Sequence, residues 1–133
     1  LPGVVISIVR PKTNVTCIDA VHKKHAFVSH IANKLGLKNL NSLHARVEKV
    51  ANLNADLVVS RAFSSLASFV EVVSHLPRCD GVLAAMKSKQ VNDEIKAFEQ
   101  SHTAFVLDKL VELQVPQLEA KRYLVWVRRK IHE

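Results

Sequence analysis

The sequence predicts an α/β domain with a mostly parallel sheet, helices on both faces and an antiparallel C-terminal edge. Three observations predict it. Short β-rich apolar runs alternate with amphipathic stretches, the pattern of βα units. Apolar residues make up 48% of the chain but aromatics only 5%, so Val, Leu, Ile and Ala must build the core, which suits buried strands. The last two strand candidates follow one another with no helix between them, which calls for a hairpin. The 133 residues suffice for one core, so a single domain over 1–133 is expected. With only three glycines, four prolines and no low-complexity tract, disorder is not expected.

The elements follow in order. Val4–Val9 is apolar and framed by Pro2 and Pro11, which reads as a short helix. Asn14–Ala20 is a short strand ending on an acid. Val21–Leu35 repeats apolar residues near the helical period, with Lys23, Lys24, His25 and Lys34 opposite, and Gly36 stops it. Leu40–Val47 alternates as a strand does, and Asp56–Ala62 is a nearly continuous apolar strand. Ser64 or Ser65 caps a helix running to Leu76, which Pro77 and Asp80-Gly81 break. Gly81–Lys87 is a buried-type strand and Asn92–Glu99 a short polar helix. His102–Leu113 and Arg122–Arg129 are the final strands, on either side of a Pro116 loop.

The formal charge is +7, which favours a polyanionic partner, with nucleic acid ahead of a membrane surface. The apolar tract Leu57–Leu76 is interrupted by Arg61 and Glu71 and is not read as a membrane span. Cys17 and Cys79 form no CxxC pair and read as reduced core thiols, consistent with a cytoplasmic protein. Seven histidines are scattered along the chain. His22 and His25 share a helix face, but no acid or Cys falls at ligand spacing, so no metal site is expected. Trp126 reads as core.

In doubly wound folds ligands bind beyond the carboxyl ends of the strands, so residues there carry the functional reading. Asp19 closes the first strand, downstream of Gly3. An acid so placed accepts hydrogen bonds from ribose hydroxyls, or simply caps the following helix. Arg46-Val47-Glu48 closes the next strand, where a carboxylate and backbone groups meet an adenine edge or form a surface charge pair. Arg61 ends an apolar strand, where a charge requires a ligand or an ion pair with an acid such as Asp19 or Glu48. Lys87, in Met86-Lys87-Ser88-Lys89, is either a phosphate contact or a solvated strand exit. Lys23, Lys24, Arg46 and Lys87 are the candidate phosphate contacts for a nucleic acid, whereas Arg128-Arg129-Lys130 reads as a solvated edge.

Several segments are shared, in order, with one family. They are LPG at the start, IDAVHKKHAFV, LGLKNL, HARVE, SRAFSSL, MKSK, KLVELQVP and RYLVWVRRK. On these the chain resembles the bacterial glucose-inhibited division protein B family, the small-subunit ribosomal RNA guanine-N7 methyltransferases. The resemblance implies a Rossmann-like class I methyltransferase sheet with S-adenosylmethionine as methyl donor and no metal. The implied target is N7 of guanine at nucleotide 527 of 16S ribosomal RNA, free or in the small-subunit particle. It places Leu1, Val47, Glu48 and Arg61 in the cofactor site, with Asp19 at the ribose-acid position of the wider class. Family members carry helices, a first strand and a glycine loop ahead of LPG. The domain over 1–133 is therefore expected to be partial and to bind cofactor weakly or not at all by itself. His22 stands where the family commonly has a small residue.

Guanine N7 presents an in-plane lone pair and no proton at neutral pH, so the implied reaction needs no general base. No acid–base residue is assigned. The enzyme's contribution is positioning, worth about 7–11 kcal/mol in favourable cases. Two alternatives come from other classes. A nicotinamide-dependent oxidoreductase on a similar fold leaves SRAF and LQVP unexplained. A non-catalytic nucleic-acid-binding module leaves the strand-end residues idle.

Overall fold

The structure, a computed structural model, describes residues 2–61, 65–88, 91–101, 103–114, 116–117 and 121–131. Two units divide the chain, Leu1–Val50 and Ala51–Glu133.

The first unit contains helix α1 (Pro2–Val9), strand β1 (Val15–Asp19), helix α2 (His22–Lys34), strand β2 (Leu40–His44) and a 3-10 turn over Val47–Lys49. β1 and β2 pair in parallel, from Val15 opposite Leu40 to Asp19 opposite His44. Val4, Val28 and Leu40 form the core of this unit, with Val15, Cys17, Ile31, Ala32 and Leu37 packed around them. α1 is apolar along its length and ends at Arg10-Pro11, where proline cannot continue it. Asn39 holds that end in place. Its side-chain amide donates to the carbonyls of Ser7, Arg10 and Thr13 at 2.9, 3.2 and 2.8 Å.

α2 ends as expected at Gly36, whose φ of +62° is costly for a residue with a Cβ. Gly36 N–H donates to the Asn33 carbonyl at 3.3 Å and Leu37 N–H to that of Ala32 at 2.9 Å, the two bonds of a Schellman stop. β2 is shorter than expected. Its ladder ends at His44, and Lys49 N–H and Val50 N–H turn back to the carbonyls of Arg46 and Val47 to make the 3-10 turn.

The second unit contains β3 (Ala55–Ser60), α3 (Leu66–Val73), β4 (Pro77–Lys87), α4 (Val91–Glu99), β5 (Phe105–Leu113) and β6 (Arg122–Arg129). Its sheet has the order β3-β4-β6-β5. β3 and β4 are parallel, while β6 runs antiparallel to both β4 and β5. The expected α/β class with an antiparallel C-terminal edge is found. The described strands form two sheets rather than one, because β1 and β3 each pair with a single neighbour among the described residues.

Leu83 lies opposite Val127 and Ala85 opposite Val125, so these four share one face of the sheet, and all are buried. Leu66, Phe69, Val70 and Val73 of α3 and Val91, Ile95 and Phe98 of α4 are buried with them in this unit. Trp126 occupies the other face opposite Ala84, half-buried, with the Lys109 ammonium 4.9 Å from its ring centroid. Ser65 caps α3, its hydroxyl accepting from Ser68 N–H at 3.1 Å. Ser64 lies outside the described residues.

β4 begins earlier than expected, at Pro77 rather than Gly81. The breakers Pro77 and Asp80-Gly81 are absorbed by a register shift against β3 between Ala55 and Leu57. A Cβ on Gly81 would lie 2.7 Å from the Ala55 carbonyl oxygen, so only glycine fits the bend. Arg129 corrects another expectation. Its guanidinium is no solvated edge: it donates to the carbonyls of Arg78, Cys79, Ser74 and Pro77 and lies 5.1 Å from the Phe105 ring centroid. Arg128 is half-buried and faces Asp108 at 3.4 Å.

Candidate functional site

The carboxyl ends of the parallel pairs hold the residues of interest, in each unit separately. In the first unit Asp19 is the last residue of β1 and is half-buried. Its Oδ1 accepts from Val21 N–H at 2.8 Å, which fixes the turn into α2. Its backbone carbonyl accepts from Ala45 N–H at 3.1 Å, continuing the ladder to β2. Oδ2 has no hydrogen-bond partner among the described residues, so the carboxylate is held by one oxygen and keeps the other available. Asp19 therefore braces the helix start, one of the two roles the sequence left open, and Oδ2 stands at the strand end without a described partner. Gly3, the glycine upstream of it, lies inside α1.

Beyond β2, Arg46 is exposed and leads into the 3-10 turn that carries Val47 and Glu48. Glu48 is exposed and Val47 half-buried. Lys23 and Lys24 are exposed on the first turn of α2. Asp19, Lys23, Lys24, Arg46, Val47 and Glu48 thus gather at one end of the β1–β2 pair.

In the second unit, Arg61 follows the last residue of β3 and is exposed, with no ion-pair partner among the described residues. Lys87 ends β4, the parallel neighbour of β3, so both lie at the carboxyl end of that pair. The Lys87 side chain is only 9% exposed and its ammonium lies 3.2 Å from Glu94 Oε2 and 3.4 Å from Oε1. The strand exit is tied to the first turn of α4 by this pair. Leu1, and Ala62 and Phe63 of the SRAF motif, lie outside the described residues.

One cluster escaped the sequence reading. His44, at the end of β2, joins His22 and His25 of α2. The ring centroids of His44 lie 5.4 Å from those of both His22 and His25, which are themselves 6.4 Å apart, and His25 and His44 are near-parallel at 18°. His44 Nε2 lies 3.1 Å from the Ala20 carbonyl, which can only accept, so Nε2 carries a proton. His25 Nδ1 lies 2.7 Å from Ser42 Oγ. The spacing of His22 and His25 was visible; the partner on the neighbouring strand became visible only with the β1–β2 register. Among the described residues no group of three or more His, Cys, Asp or Glu is placed to hold a metal ion. No described helix is long and apolar enough to cross a membrane.

Comparison with known proteins adds to this geometry. The profile of one family, described as rRNA small subunit methyltransferase G, matches residues 1–125. A ribosomal RNA small subunit methyltransferase G of Bordetella avium is 46% identical over 129 residues, 97% of this chain and 56% of that protein. The chain thus spans little more than half the length of this relative. Among solved structures, a SAM-dependent methyltransferase from Aquifex aeolicus superposes with a TM-score of 0.68 at 19% identity, over 92% of this chain and 73% of the other. M. jannaschii TYW2 in complex with AdoMet superposes with a TM-score of 0.65 at 12% identity, over 95% and 62%. At these identities the structural likeness speaks to the fold alone.

Proposed function

Because the chain belongs to the rRNA small subunit methyltransferase G family, we propose that its protein transfers a methyl group from S-adenosylmethionine to N7 of guanine at nucleotide 527 of 16S ribosomal RNA. The observation that carries this reading is the family match along nearly the whole chain. It favours methyl transfer over both the nicotinamide oxidoreductase and the non-catalytic module.

The residues present fit the cofactor. S-adenosylmethionine supplies a methyl group made electrophilic by its sulfonium. Oδ2 of Asp19, without a partner among the described residues, suits a pair of ribose hydroxyls, and the Oδ1 bond to Val21 N–H keeps it oriented. Val47 and Glu48 would border the adenine edge from the turn after β2. Leu1 and Arg61 complete the proposed cofactor set. No residue is assigned to take a proton, because guanine N7 has none to give.

RNA contact falls to cations. Lys23, Lys24 and Arg46 are exposed and suit phosphates. Lys87 reaches a phosphate only by leaving Glu94. N7 in a duplex is buried in a deep, narrow groove, so the target guanine must lie in a loop or be turned out of its stack. The partner is 16S RNA or the small-subunit particle, and the setting the cytoplasm.

The test is methyl transfer by the full protein from labelled S-adenosylmethionine to small-subunit particles lacking the modification, followed by mapping of the labelled nucleotide. Label at N7 of nucleotide 527, lost with Arg61→Ala while the fold is retained, is the expected result. Label elsewhere, or none, defeats the reading.

A further inference from the structure

The three-histidine cluster has no part in the cofactor reading, yet it stands beside Asp19. We infer that His22, His25 and His44 form a proton-linked site for the phosphate backbone of RNA. The inference rests on the reading that the protein acts on RNA, and it adds the residues and the proton dependence of that contact.

The surroundings select an anion. β1 contributes Asp19, and α2 contributes Lys23 and Lys24 in the same turn as His22 and His25. The segment after β2 contributes Arg46, Glu48 and Lys49. α1, which packs against β1, carries no charged side chain. Cations outnumber acids around the cluster even with all three imidazoles neutral. His22 and His44 are exposed, so a ligand reaches them without rearrangement of the core.

The geometry also couples binding to protonation. His44 Nε2 is committed as a donor to the Ala20 carbonyl, so in the neutral ring Nδ1 is a bare acceptor. His25 engages Ser42 through Nδ1 and has Nε2 free of any described partner. A phosphate oxygen needs donors. His44 offers it one only after taking up a proton, and so does His25 where its Nδ1 donates to Ser42. His22 makes no described hydrogen bond and presents one N–H when neutral and two when protonated. Imidazole is the side chain that titrates near neutrality. Ring centroids 5.4 Å apart place two imidazolium charges close enough to oppose one another. An anion bridging the ring edges offsets that opposition. Phosphate binding and proton uptake reinforce each other.

The experiment is fluorescence anisotropy of a short labelled RNA with the full chain at fixed salt, between about pH 8 and pH 6. In the variant combining His22→Asn, His25→Asn and His44→Gln none of the three side chains can titrate, and at positions 25 and 44 the amides stand near the bonded ring nitrogens. The native protein should gain about tenfold or more in affinity over this range, the variant little, with the two within about twofold at the upper pH. A flat native profile with tight binding overturns the inference, and so does an undiminished pH dependence in the variant. If the triple variant does not fold by circular dichroism, His22→Asn alone decides. His22 makes no described hydrogen bond, and an unchanged pH slope in that variant overturns the inference. Imidazole proton resonances that move as far with inorganic phosphate as with RNA indicate a small-anion site and overturn the RNA assignment. Native protein that binds no RNA at any pH defeats the underlying reading, a result distinct from RNA binding that ignores the histidines.

Discussion

At Asp19 one carboxylate oxygen holds the Val21 amide and the other has no partner among the described residues, so its bracing role and its proposed cofactor role can be separated by substitution. Asp19→Asn keeps an acceptor for Val21 N–H but loses the charge. Affinity for S-adenosylmethionine should fall by about 1–2 kcal/mol, the margin between charged and neutral hydrogen bonds, with the melting temperature nearly unchanged. Asp19→Ala should lower both. Calorimetry and thermal melting of the full protein read the two effects, and unchanged affinity in Asp19→Asn removes this residue from the site. The two cysteines differ in the same local way. Cys79 is exposed, while Cys17 packs against the Val4–Val28–Leu40 cluster, and burial, with Asp19 adding to it, pushes its thiol above the usual range. Only the thiolate reacts. A maleimide at neutral pH should therefore modify Cys79 first. Raising the pH should narrow the difference as Cys17 ionises. Equal rates at neutral pH contradict the packing of Cys17.

Among the elements, the junction of α3 and β4 depends on a side chain remote in sequence. Arg129 collects four backbone carbonyls there, from Ser74, Pro77, Arg78 and Cys79. Arg129→Ala leaves partly buried acceptors unpaired and should cost about 1–3 kcal/mol in urea unfolding. Arg129→Lys should recover little, because one ammonium cannot reproduce the planar fork. A loss below about 0.5 kcal/mol, the usual surface value, returns Arg129 to the solvated edge. This junction also marks where sequence reasoning stopped. Gly36 was legible as a helix stop, because a local φ requirement writes itself as glycine. The start of β4 was not legible. Pro77 and Asp80-Gly81 are breakers by local rules, and what overrides them is a guanidinium about fifty positions away. The His22–His25–His44 cluster was half legible for the same reason. Spacing places two rings on one helix face, but only the register of β1 on β2 brings the third.

For the whole molecule, strand order and composition reached the α/β class and the hairpin edge. Strand-end logic singled out Asp19, Glu48 and Arg61, while methyl donor and RNA target came from family resemblance. Charge was legible too, but not which cations are free. With a net charge of +7, the proposed RNA binding should be salt-sensitive, and the structure divides the chain's cations into two kinds. Lys23 and Lys24 are exposed and Lys87 is buried against Glu94. Each of Lys23→Ala and Lys24→Ala should lower the slope of log affinity against log salt by about one, the signature of one lost phosphate contact. Lys87→Ala should behave otherwise. It leaves the Glu94 carboxylate unpaired, so it should cost about 1–3 kcal/mol of stability and leave the salt slope unchanged. Filter binding across a salt series, run beside urea unfolding, reads both. A reduced slope with unchanged stability in Lys87→Ala shows that this ammonium leaves Glu94 for RNA. Retained slopes in Lys23→Ala and Lys24→Ala move the phosphate contacts off α2 altogether.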